Sequence, residues 1–186
     1  LAIYTHCKQG DEVILSDDGH IIMYEQGAAA IISRVNLRPV KATLGVMDPN
    51  DIEAKIRKDL DDPACPFTGL IIVENPSGAG CLIPLENLAK IREIGKKYNV
   101  PIHMDGARIF NAAAYLGVEA KDIAQYADSV MFCLSKGLCC PVGSMIVGTK
   151  EFIEKARRNR KMLGGTMRQV GILAAAGIYA LKNLAG

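Results

Sequence analysis

Five short apolar runs, spaced along the chain by segments of helical period, restrict this sequence to very few architectures. The runs are EVILS at 12–16, GLIIVEN at 69–75, VPIHMD at 100–105, SVMFCLS at 129–135 and SMIVG at 144–148. They are apolar at nearly every position rather than at alternate ones, as strands buried on both faces of a largely parallel sheet must be. Parallel neighbours need long crossovers, and helical segments stand ready to supply them at about 20–34, after Asp48–Pro49–Asn50, and at about 84–98, 107–116, 150–162 and 166–184. Asp48 before Pro49 makes a helix start, because an acceptor at the cap and a proline at the first turn both suit unpaired N–H groups. In PLENLAKIREIGKKYN, Leu85, Leu88, Ile91 and Ile94 fall every three residues and give one apolar face. The expectation is a three-layer α/β/α domain over residues 1–186, with LDDPACPFTG at 60–69 as a loop and no repeat or linker.

Charge and cysteine usage remove several classes of function. Twenty-two basic residues against 20 acidic ones leave a net charge of +2, and the one basic run, RRNRK at 157–161, reads as the solvated last turn of a helix. No nucleic-acid partner is expected. The 6 cysteines show no C-x-x-C spacing and there are only 3 histidines, so no metal site is expected and the thiols are read as reduced, in a cytoplasmic protein. No apolar stretch of about 18 residues or export signal occurs, so no membrane partner is expected either. The chain starts at Leu1 without an initiator methionine and stops directly after a helix-like segment, which reads as a piece of a longer protein.

In an open parallel sheet, ligands bind beyond the carboxyl ends of the strands. Two polar residues close apolar runs there: Asp105 ends VPIHMD before Gly106, and Lys136 follows SVMFCLS before Gly137. A lysine at a desolvated strand end gives up its proton more readily and can form a Schiff base. A carboxylate beside it suits the pyridine nitrogen of pyridoxal phosphate, which must stay protonated for the ring to act as an electron sink. By spacing alone, an ordinary loop cation and a helix-capping aspartate remain open readings of this pair.

Three segments, MDGARIFNAAA at 104–114, VMFCLSKGLCCPVGS at 130–144 and RKMLGGTMRQVGILAAAG at 160–177, resemble successive signatures of the threonine aldolase/β-eliminating lyase family of fold-type I pyridoxal-phosphate enzymes. SDDGHIIMYEQGAAA at 16–30 resembles a fourth, and the order is the family's. The resemblance implies an aspartate aminotransferase-like large domain. It implies Lys136 as the cofactor-bearing lysine, Asp105 as the partner of the ring nitrogen, and His20 as the imidazole stacked on the ring and a candidate base for the substrate hydroxyl. Ala107 would pack on the opposite ring face, Arg108 would reach the phenolic oxygen or the substrate carboxylate, and Ser135 and Arg168 would serve the phosphate. The implied reaction is cleavage of L-threonine, or L-allo-threonine and related β-hydroxy-α-amino acids, to glycine and an aldehyde, in a homodimer or homotetramer.

Two departures stand out. Where the family commonly has Glu-Asn-Thr-His-Asn, this chain has Glu74–Asn75–Pro76–Ser77–Gly78, without the histidine, which puts side-chain selectivity in question. The family's N-terminal phosphate loop and C-terminal small domain have no counterpart in these residues, so the domain reads as incomplete. Two other functions stay open: β-elimination on the same cofactor, and a catalytically incomplete homologue. A nucleotide-binding protein is disfavoured, because no G-x-G-x-x-G follows an expected strand.

Overall fold

A computed structural model describes residues 1–185. In chain order the elements are α1 (Ala2–His6), β1 (Glu12–Ser16), α2 (His20–Tyr24), α3 (Ala28–Ser33), β2 (Asn36–Val40), β3 (Ala42–Thr43), β4 (Val46–Met47) and α4 (Pro49–Lys55). There follow β5 (Thr68–Glu74), α5 (Leu85–Tyr98), β6 (Ile102–Asp105), α6 (Ile109–Leu116), α7 (Ala120–Ala124), β7 (Ser129–Cys133), β8 (Ser144–Gly148), α8 (Lys150–Met162) and α9 (Gly171–Asn183). Six strands form one sheet in the order β2-β1-β5-β6-β7-β8, parallel except for β8, which runs antiparallel to β7. β3 and β4 form a separate antiparallel pair. From β1 the chain passes to β2 on one side and then returns to β5 on the other, so the topological switch point lies between β1 and β5.

The two faces of the sheet bury different apolar sets. Val13, Leu15, Leu70 and Ile72 pack with Ala29 of α3 and Ile3 of α1. Ile14, Ile71, Val73, Ile102, Met104 and Val130 pack with Ile52 of α4, Leu88 and Ile91 of α5 and Ile123 of α7. This is the three-layer arrangement the apolar runs imply. Asp48 caps α4 as expected, its Oδ1 accepting from Asn50 N–H at 2.8 Å with Pro49 in the first turn.

Several boundaries differ from the expectation. The helix expected over 20–34 is broken into α2 and α3 by Gln26 and Gly27, both in the left-handed region at φ 52° and 67°. The helices expected at 107–116 and 166–184 start at Ile109 and Gly171 instead. β2, which no apolar run announced, contains Arg38 and Pro39; proline is tolerated because β2 is an edge strand. Arg38 is drawn in by Glu12, whose carboxylate accepts from Arg38 Nη1 at 3.1 Å and from Arg57 Nε and Nη2 at 2.9 and 2.8 Å. Both guanidinium groups hold the Glu12 carboxyl below its ordinary value, Arg57 foremost.

At the amino ends of β6 and β7 lies a polar chain within the core. Ser129, 1% exposed, has its Oγ 2.8 Å from His103 Nδ1 and 2.7 Å from His6 Nε2. One hydroxyl cannot donate to both rings, so at least one imidazole donates to Ser129 Oγ. The His6 ring also stacks on Phe152 of α8 with centroids 4.4 Å apart, which ties α1 to the sheet and to α8. Burial pushes His103 down to about 3, with His6 adding to the shift, and burial lowers His6 to about 4. Unfolded imidazoles take up protons below about 6.5 while these remain neutral, so their contribution to stability is complete above that pH and is lost as pH falls toward 4. Urea-unfolding midpoints should therefore fall between pH 7 and pH 5, and His6→Asn should flatten the slope; an unchanged slope would show that His6 is not held neutral.

Candidate active site

The carboxyl ends of β1, β5, β6 and β7 bring His20, Glu74, Asp105 and Lys136 to one edge of the sheet. Pairing places Glu74 opposite Asp105 and Asp105 opposite Met131, so the two acids lie side by side on one face. Gly19, His20, Glu74 and Asp105 line a pit of about 10 Å³ over the switch point, with Ser16 and Ile72 in its walls. That volume holds no more than a water, so a planar ligand has to lie across the strand ends above it. A larger groove of about 770 Å³ runs between α4 and α5, but none of the candidate cofactor or catalytic residues lines it. The chemistry of the donor set, rather than volume, marks the strand-end pit as the site.

Asp105 is only half satisfied. Its Oδ1 accepts from Ala107 N–H at 3.1 Å, a local turn that stops short of α6, whose cap is Arg108, while no donor among the described residues reaches Oδ2. Burial pushes the Asp105 carboxyl up from its ordinary value, against the pull of the Ala107 N–H and of the Lys136 and His20 charges. A carboxylate in this state gains most from a cationic N–H donor placed at Oδ2.

His20 is held at two points. Its backbone N–H donates to Glu74 Oε2 at 2.9 Å, and its Nδ1 lies 3.0 Å from Glu25 Oε1. The Tyr24 ring stands 5.1 Å away, centroid to centroid. Gly19 permits the turn into His20, because a Cβ there would stand 2.7 Å from Ser16 Oγ.

Lys136 sits in the turn after β7, exposed, with no hydrogen bond from its ammonium to any described residue; its carbonyl accepts from Cys139 N–H at 2.9 Å. The next residue, Gly137, lies so close to α6 that a Cβ would collide with Asn111 Oδ1. A side chain after the lysine would require Asn111 to move aside.

The remaining residues are dispersed. Ala107 is half-buried beside Asp105; Ser135 and Arg108 are exposed at the same edge, without side-chain hydrogen bonds among the described residues. Arg168 is exposed in the segment between α8 and α9, and no ion pair or hydrogen bond joins its side chain to the site. Glu74 was missed from the sequence, although it closes an apolar run just as Asp105 does. Ser77, in the loop that lacks the expected histidine, is buried and turned to its own surroundings, its Oγ donating to the Leu44 carbonyl at 2.7 Å. His6 and His103 belong to the polar chain at the amino ends of the strands, which leaves His20 as the imidazole of this edge.

An α/β domain that brings an amine, a half-paired acid and an imidazole to the carboxyl ends of its strands has the layout of an open-sheet ligand site. The chain belongs to the Beta-eliminating lyase family, whose profile matches residues 1–185. It is 49% identical over 188 residues to a probable low-specificity L-threonine aldolase 2 of Arabidopsis thaliana, covering 98% of this chain and 53% of that protein. The chain therefore spans about half the length of this curated relative. In three dimensions it matches a putative L-allo-threonine aldolase of Listeria monocytogenes at TM-score 0.82 and 21% identity, covering 99% of this chain and 50% of that one. The same sheet matches Thermus thermophilus aspartate aminotransferase at TM-score 0.73 and 14% identity, over 99% of this chain and 48% of that one, which places the fold in the aminotransferase-like class.

Gly106 joins Asp105 to Ala107 under tight constraint: a Cβ would lie 3.1 Å from the Met131 carbonyl oxygen and 3.2 Å from Ile109 Cβ and Val130 Cγ1. Backbone and branch-point atoms yield little, so Gly106→Ala should destabilise the domain by about 1–3 kcal/mol. Chemical denaturation checks this, and an unchanged midpoint would mean the strand end adapts freely.

Proposed function

We propose that the full-length protein is a pyridoxal-phosphate-dependent lyase that splits the Cα–Cβ bond of β-hydroxy-α-amino acids, with L-threonine and L-allo-threonine giving glycine and acetaldehyde. The observation that carries the reading is the half-satisfied Asp105 carboxylate at the strand end beside the Lys136 turn. When bound, the cofactor supplies an electron sink for the pair left at Cα. Asp105 Oδ2 fits the protonated ring nitrogen, and the Lys136 amine is the covalent anchor. His20 covers the ring and takes the hydroxyl proton, directly or through a water, while Ala107 offers a small, flat surface on the other side. Arg108 is assigned to the substrate carboxylate or the phenolic oxygen, for which its planar fork is suited. Ser135 and Arg168 are assigned to the phosphate; Arg168 has to approach from the segment that precedes α9.

Exposed apolar side chains at Met23, Tyr24, Ile31, Met145 and Val147 support assembly as a homodimer or homotetramer, and the free thiols support a cytoplasmic setting. β-Elimination on the same cofactor is the second reading, favoured by the loop at 75–80 that brings no imidazole to the substrate side chain. Acetaldehyde with glycine supports the first reading; a keto acid with ammonia supports the second.

Borohydride reduction of the full-length protein should fix the cofactor on the peptide containing Lys136, and recovery on Lys150 or Lys161 would remove Lys136 from its role. Asp105→Asn should retain cofactor binding but slow threonine cleavage roughly 10²-fold or more, since the charge acts mainly in the transition state. Turnover within about twofold of the parent would make Asp105 purely structural.

A further inference from the structure

The break between α2 and α3 has a chemical result. In a continuous helix, residues five apart lie about 140° apart around the axis and cannot meet. Here α2 unwinds at Glu25, with φ −103° and ψ 23°, and Gln26 and Gly27 turn the chain in the left-handed region. Glu25 thereby returns beneath the residue five positions before it, with Oε1 3.0 Å from His20 Nδ1. An ionised carboxylate only accepts hydrogen bonds, so Nδ1 carries a proton, and in the neutral ring Nε2 keeps its lone pair. Among the described residues no group of the chain contacts Nε2.

We propose that Glu25 is a positioning residue that fixes His20 in its Nδ1–H tautomer, presenting Nε2 as the proton acceptor for the substrate β-hydroxyl. The proposal rests on the lyase reading above for the identity of that proton. As a stabilising ion pair the contact counts for little, because the side chains are 48% and 50% exposed. Its effect is orientational. Glu74 holds the His20 backbone, Tyr24 flanks the ring, and Glu25 sets the remaining freedom, which is rotation of the ring and the choice of tautomer. The other charged groups around this edge are Asp105 at the end of β6, Lys136 after β7 and the exposed Arg108 before α6.

The other two histidines of this chain are bound to Ser129 at the amino ends of the strands, and a His20→Asn spectrum assigns the His20 ring in the full-length protein. In the cofactor-free full-length protein, His20 should appear as the Nδ1–H tautomer. Glu25→Ala should abolish that bias, leaving the His6 and His103 signals in place. In the loaded enzyme, Glu25→Ala should lower kcat for threonine about tenfold with KM within about twofold, and Glu25→Gln, whose carbonyl still accepts from Nδ1–H, should restore most of the loss. An Nε2–H tautomer in the parent, or an unchanged tautomer in Glu25→Ala, overturns the proposal. If the parent releases no acetaldehyde but the tautomer responds to Glu25→Ala, the lyase reading fails and the orientation by Glu25 stands. If threonine is cleaved and Glu25→Ala keeps the parent kcat, the orientation role fails alone.

Discussion

Register between β5, β6 and β7 is the constraint on which the rest of this molecule depends. Side chains alternate between faces, so Asp105 shares a face with His103, and Met104 points the other way into the α5 layer. A slip of one residue would carry the Asp105 carboxylate into that apolar layer and bring Met104 to the cleft. The apolar runs prevent this, because both faces are buried and each is filled by a different set of helices. The chemistry at the strand ends is thus held in place by packing further down the same strands.

β6 shows how one short strand serves two purposes. At its amino end, His103 is sealed against Ser129 and α1, and burial keeps the ring neutral. Two residues on, Asp105 emerges at the edge with one oxygen bound to its own backbone and the other free. The same low-dielectric surroundings that make the first group inert leave the second in want of a positive partner. Distance along the strand from the closed end to the open edge separates a structural polar group from a reactive one.

What was legible in the sequence follows mostly from where burial is complete. β1, β5, β6 and β7 were marked by runs apolar at nearly every position, and Asp105 and Lys136 by their places just beyond such runs; the run at 144–148 marked β8 as well, but β8 is an antiparallel edge strand and largely exposed rather than buried on both faces. β2 was invisible, because an edge strand with Arg38 and Pro39 carries no such run; its identity comes from Glu12, a partner distant in sequence. The break after Tyr24 was invisible for a different reason: alanines and isoleucines on both sides satisfy a helical pattern, and only Gln26 and Gly27 adopt the left-handed turn. Glu74 followed the same strand-end rule as Asp105 and could have been found by applying it again. Arg108, Ser135 and Arg168 came from family likeness, and here they remain exposed side chains without partners among the described residues.

The position of β1 at the switch point also governs how the chain can reach this arrangement. Glu12 pairs with Asn36 on one side but with Thr68 on the other, so the strand that leads into His20 waits, apolar and half-paired, until β5 has been made. Contacts so distant along the chain close late, because loop entropy must be lost before any burial is gained. During synthesis, β1 and β2 would therefore persist as an open two-stranded fragment with exposed backbone edges, the form in which such chains most readily associate with the wrong partner. The central place that makes β1 a good floor for a binding cleft thus leaves one of its edges open until β5 has been made.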